Sequence, residues 1–117
     1  MWVGKVLAQP VPRPEWFVLS RPGCHGVEGK VLLDGPDLWI ALLRFGRRST
    51  IDEHPAPHPI DVICLEGEGL FSVDGEAAPL RAGERVQWPA HRPHRLWTQA
   101  TAMLTLMVEH PGAGVGP

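Results

Sequence analysis

The 117-residue sequence contains no tyrosine, only two cysteines, no excess of charge of either sign and no long apolar run. Each scarcity excludes something. A membrane-spanning helix needs roughly 20 consecutive apolar residues, and no stretch approaches that length. Met1-Trp2-Val3-Gly4-Lys5 lacks the charged and apolar regions of a signal peptide. The expectation is therefore a soluble cytoplasmic protein without a membrane partner. The two cysteines show no CxxC spacing and make no disulfide framework. Cys64, between Ile63 and Leu65, reads as a buried free thiol, and Cys24 sits in the loop-like Pro22-Gly23-Cys24-His25-Gly26; a reducing compartment suits both. A formal net charge of −2 with no basic stripe gives nucleic acid nothing to bind. Arg47-Arg48, the only adjacent basic pair, reads as solvated.

What is abundant is punctuation. Thirteen prolines and thirteen glycines leave little room for long helices. The length suits one domain, and 44% hydrophobic with 21% charged residues is ordinary for a globular chain. Pro10, Pro12 and Pro14 make residues 1–15 an extended arm. Short apolar runs follow at Trp16–Leu19, Val27–Leu33, Leu38–Phe45, Ile60–Leu65, Leu70–Val73, Arg85–Trp88, His94–Gln99 and Ala102–Glu109. Turn signals separate them: Asp34-Gly35-Pro36-Asp37, Glu66-Gly67-Glu68-Gly69, Asp74-Gly75 and the stretch at Ala82-Gly83. Asp-Gly favours a tight hairpin because both central residues need positive φ. Leu38–Phe45 and Ala102–Glu109 satisfy a helical period as well, but both are short and uncapped. Many short strands with frequent turns indicate an all-β barrel or sandwich over residues 16–110. The glycine-rich residues 111–117 read as a flexible tail.

Four of the six histidines fall in two proline-rich segments, His54-Pro55-Ala56-Pro57-His58 and Pro89-Ala90-His91-Arg92-Pro93-His94. Together with Gly46, the run Val62 to Gly69, the hairpin Val73-Asp74-Gly75-Glu76, and Gly83, Pro89 and His94, these segments resemble the cupin superfamily over about residues 38–109. The resemblance implies an all-β fold, a single jelly-roll barrel, with a pocket inside it. It also implies a divalent metal on three histidines and one glutamate, and here the match thins. Of those four places only His54 and His94 are filled, with Ala56 and Ile60 at the other two and His91 where the second motif usually has glycine. The pattern is closer to small cupins with His-x-Ala-Pro in the first motif. The resemblance further implies pairing as a homodimer, for which the arm and Trp16-Phe17 are suitable.

His58 is the candidate third ligand. In an extended strand its Cα lies roughly 13 Å from that of His54, at about 3.3 Å per residue, so co-ligation needs the segment to bend, against the stiffness of Pro55, Pro57 and Pro59. Asp61 alternates with Ile63 and Leu65, away from the face of Ile60, Val62 and Cys64. Trp88 and His91 are candidate pocket walls, while Trp16, Trp39 and Trp97 read as core and His25 and His110 as surface. Three functions are open. The first is a cupin holding zinc, nickel, iron or copper through His54, His94 and His58 and acting on a small molecule. The second is a non-catalytic barrel with a degenerate metal site that holds a small ligand. The third, metal-free acid–base catalysis by a histidine, needs an inward aspartate the sequence does not offer.

Overall fold

Proline keeps the start of the chain out of regular structure. In the computed structural model, which describes Gly4 and residues 6–114, residues 6–12 form no helix or strand and lead, through a bend at Pro12, into the first strand, β1 (Arg13–Val18). Pro14 cannot donate to a ladder and is tolerated because β1 is an edge strand that pairs only with β2 (Cys24–Asp34). The β1–β2 register slips between Arg13 and Phe17, around that proline. The remaining strands are β3 (Trp39–His54), β4 (Ile60–Val73), β5 (Glu76–Arg81), β6 (Arg85–Trp88), β7 (His94–Trp97) and β8 (Met103–Glu109), followed by a 3-10 turn over Pro111–Gly114. No helix among the described residues is long and apolar enough to cross a membrane.

Two long strands build the barrel. The first half of β3 pairs with β8 (Leu43 opposite Thr105) and its end pairs with β7 (Ile51 opposite Leu96). Strand β4 does the same from the other side, with Ile63 opposite Leu106 and Phe71 opposite Leu96. β3 and β4 thus bracket β8 in one sheet and β7 in the other, and the sheet closes into the all-β barrel that the strand pattern implies. Alternation decides what fills it. Val27, Phe45, Val62, Cys64, Leu80 and Leu96 are essentially inaccessible, and Leu38–Phe45 and Ala102–Glu109 form strand rather than helix from Trp39 and Met103 on. Cys64 is free and buried, and burial is the main reason its thiol is pushed up in pKa. At the β4–β5 hairpin, Asp74 and Gly75 both have positive φ, 52° and 82°, as the Asp-Gly dipeptide requires.

Several expectations change. Glu66 to Gly69 does not turn the chain: β4 runs straight through it, with only a register shift between Cys64 and Glu66. The glycines serve close approach instead. A Cβ on Gly67 would stand 2.0 Å from the Ala102 carbonyl oxygen, and one on Gly69 2.7 Å from that of Trp97. Strand β3 likewise continues past Phe45, absorbing the exposed Arg47 and Arg48 in a bulge where Arg48 has φ 52°. Strand β5 is the second arm of the hairpin that Asp74-Gly75 implies, although no apolar run marks it in the sequence. The tail opens with the 3-10 turn, and the remainder of that expectation, residues 115–117, lies outside the described residues, as do residues 1–3 and 5 of the arm. Trp16, Trp39 and Trp97 are half-buried rather than core; Trp88, 2% exposed, is the tryptophan in the core cluster.

Candidate functional site

Strand β3 ends at His54 and β7 begins at His94, and the antiparallel register sets these two residues opposite each other. Their rings meet edge to face with centroids 4.5 Å apart. Trp88, the last residue of β6, stacks on His94 at 4.0 Å with the planes 12° apart. Nδ1–H of His54 donates to the Asp52 carbonyl at 2.8 Å. A carbonyl can only accept, so Nδ1 carries the proton and the Nε2 lone pair of the neutral ring is free. His94 is 1% exposed; neither of its ring nitrogens has a partner at full hydrogen-bond geometry, only a weaker contact with the Arg92 backbone, and Nε1 of Trp88 has none. Burial lowers the His94 pKa to about 4, with the charges of His54 and Arg21 adding to the effect and the Arg92 backbone opposing it. His94 is thus a neutral imidazole near pH 7, short of hydrogen-bond partners.

The pair stands in a cavity of about 700 Å³. Phe17, Leu19, Leu43, Ile51 and Met107 give it apolar walls, and Trp39 and Trp88 aromatic ones. Ala56 and Ile60, at the two places where the sequence resemblance would put metal ligands, are apolar lining as well. Glu109, Arg13, Arg21, Ser20 and His58 complete the polar part of the wall.

The other candidates are distributed around this centre. His58 lines the same cavity, but its Nε2–H donates to Glu109 Oε1 at 2.5 Å, across 51 positions of sequence. Among the described residues, no three of His, Cys, Asp and Glu converge as a metal-binding group. His91 is exposed and is not part of the cavity lining; its backbone N–H donates to the Ala56 carbonyl at 2.7 Å, pinning the β6–β7 loop to the His54–His58 segment. Its φ of 65° explains why glycine suits this place in the motif, histidine being among the side chains that enter that region more readily. Asp61 faces away from the core, where its carboxylate accepts from Arg85 Nη1 at 3.1 Å and from His110 Nε2 at 2.8 Å. His110, expected at the surface, is half-buried by that contact, and His25 is exposed. Three charged residues of the cavity carry no sequence signal: Arg13 in the proline arm, Arg21 in the loop after β1, and Glu109 at the end of β8. Each reaches the cavity through folding across the barrel mouth.

Residues 43–109 match the Cupin_2 family, the cupin domain. No curated protein matches the sequence. Among solved structures, the polyketide cyclase RemF from Streptomyces resistomycificus is similar at 17% identity, with a TM-score of 0.79 over 90% of this chain and 80% of that one. A predicted oxalate decarboxylase from Thermotoga maritima is similar at 23% identity, with a TM-score of 0.72 over 84% and 91%. A Cupin 2 conserved barrel domain protein from Leptotrichia buccalis is 28% identical, with a TM-score of 0.70 over 80% of this chain and 44% of that one.

Proposed function

Because this chain belongs to the cupin domain family, whose barrels carry their function inside, we propose that it binds a small molecule in the cavity at His94, Trp88 and His54. The observation that carries this reading is the buried His94 imidazole with both nitrogens unpartnered, beside a Trp88 indole N–H in the same state. Each buried polar group left unmade costs about 1–3 kcal/mol, and few such groups survive in native folds without a reason. Here three atoms cluster at one apolar cavity large enough for a drug-sized ligand. These atoms are closed to solvent, so a ligand bearing both an acceptor and a donor satisfies the indole and the imidazole only by turning their rings toward the cavity.

A divalent ion on His54 and His94 is the second reading, and one observation favours it. The Asp52 carbonyl holds His54 by Nδ1–H and leaves Nε2 for coordination, the outer contact that metal-bound imidazoles usually make. The donor set suits an exchangeable ion such as zinc, nickel, copper or iron. It does not suit a tight one, since structural and catalytic zinc sites take three or four protein ligands and His58 is held by Glu109. Such an ion would supply a Lewis acid at the cavity wall; the chain's own residues supply the apolar walls and the two imidazoles that orient what enters.

One titration series tests both readings by ¹⁵N NMR on chelator-treated protein. With 2-naphthamide as a neutral probe, the indole signals of Trp88 and Trp39 are expected to shift while those of Trp16 and Trp97 stay. No shift at millimolar probe refutes the pocket reading. With zinc alone, the His54 and His94 ring signals are expected to shift together, and their indifference to zinc removes the second reading.

A further inference from the structure

The cavity wall has an uneven charge. Arg13, Arg21, His54, His58 and His94 line it against a single carboxylate, Glu109, which His58 already engages. Elsewhere Arg44, Arg81, Arg85, Arg92 and Arg95 each face a carboxylate, and Arg47 and Arg48, without an ion pair among the described residues, stand outside this cavity. Arg13 and Arg21 face none among the described residues. Arg13 lies over the Phe17 ring at 4.2 Å, and Nε of Arg21 donates only to the Cys24 sulfur at 3.3 Å, a weak acceptor. Both guanidiniums therefore have hydrogen-bond donors left for a ligand. Both side chains belong to the segment formed by β1 and the loop after it, which closes one side of the mouth.

Resting on the pocket reading, we infer that the cavity selects an apolar carboxylic acid in its ionised form, with the carboxylate at Arg21 and Arg13 and the hydrocarbon body against Phe17, Leu19, Ile51 and Trp88. A guanidinium presents parallel N–H donors that match the two oxygens of a carboxylate. The apolar walls beside it bury the body of the ligand, while the pairing itself lies at the exposed rim. A cationic ligand meets Arg13 and Arg21 at the mouth and no free carboxylate in the described lining.

The test compares 2-naphthoate with 2-naphthamide, which share a hydrocarbon body and differ in charge. Titration calorimetry on the wild type is expected to give the carboxylate an advantage of about tenfold, the scale of a charge-assisted hydrogen bond, and one that shrinks as salt is added. Arg21→Gln is expected to cut that advantage to less than about threefold while leaving amide binding unchanged, and Arg13→Gln/Arg21→Gln to abolish it. Both side chains are exposed, so the variants keep the fold. Arg47→Gln, outside the cavity lining, is expected to change nothing. Equal affinity for the two probes, or a preference that survives the double substitution, overturns the inference and leaves the pocket reading standing. Binding of neither probe refutes the pocket reading, and this inference falls with it.

Discussion

Strand β3 has a hollow on each face, and the two are nearly equal in size. Leu43 lines the inner one, of about 700 Å³, while its neighbour Arg44 lines an outer one of about 620 Å³ together with Trp16, Glu28 and Glu66. Both mix aromatic and charged side chains, yet they differ in what is left over. In the outer hollow Arg44 is bonded to Glu28 at 2.9 Å and lies over the Trp16 ring at 4.1 Å, with Lys30 also over that ring at 4.8 Å. In the inner one His94 and Trp88 keep buried polar atoms without partners, and Arg13 and Arg21 keep free donors. Concavity alone does not distinguish a binding site from a surface irregularity; buried polar atoms without partners do, and they line only the inner hollow among the described residues.

That contrast is open to experiment, beginning where the effect is largest. Trp88→Ala takes the wall from the inner cavity and is expected to lower unfolding free energy by about 3–5 kcal/mol, the usual cost of truncating a core aromatic. Urea denaturation reads it, and a loss under about 1 kcal/mol contradicts the packing described for Trp88. Next comes His94. Its folded pKa of about 4 lies below the ordinary 6.5, so between those values the unfolded chain takes up a proton that the native ring refuses. Stability is therefore complete above about pH 6.5 and declines as pH falls toward 4, by up to about 3 kcal/mol in metal-free buffer. His94→Phe is expected to flatten that slope and, by removing two unpartnered nitrogens, to raise stability at neutral pH by about 1–2 kcal/mol. A variant with an unchanged pH profile assigns the titration elsewhere. The smallest effects separate the two hollows most cleanly. Arg44→Met is expected to cost up to about 1 kcal/mol of stability through its exposed ion pair and ring contact, with probe binding unchanged. Arg21→Met should do the reverse, leaving thermal unfolding alone while weakening binding of the naphthoate. If both behave alike, the distinction between the hollows fails.

The parts of this architecture that depend on neighbours in sequence were legible in advance. Asp74-Gly75 declares its hairpin because the φ requirement is local, and Ile60, Val62 and Cys64 turn inward, with Asp61 on the opposite face under Arg85 and His110, because strand parity is local. The pairing of His54 with His94 came through resemblance to a family, since nothing in either segment alone specifies a register between β3 and β7. Glu66 to Gly69 misled because glycine serves two purposes, turning a chain and letting strands approach, and the sequence does not say which; only the Ala102 and Trp97 carbonyls lying against Gly67 and Gly69 decide it. His58 and Glu109 are a further case. Their contact spans 51 positions and follows from where two strand ends arrive, so the histidine considered as a third ligand, already poorly spaced from His54, is engaged instead by a carboxylate. Arg13 and Arg21 were invisible as site residues because their role arises from a segment folded across the mouth.

Asp52 joins the two sides of that mouth. Its backbone N–H donates to the Gly23 carbonyl at 2.8 Å, anchoring the loop that carries Arg21, and its own carbonyl accepts Nδ1–H of His54. One residue is thus the common fulcrum of the charged rim and the deeper imidazole. The peptide groups on either side of one α-carbon therefore fix both the loop that carries Arg21 and the orientation of the His54 ring.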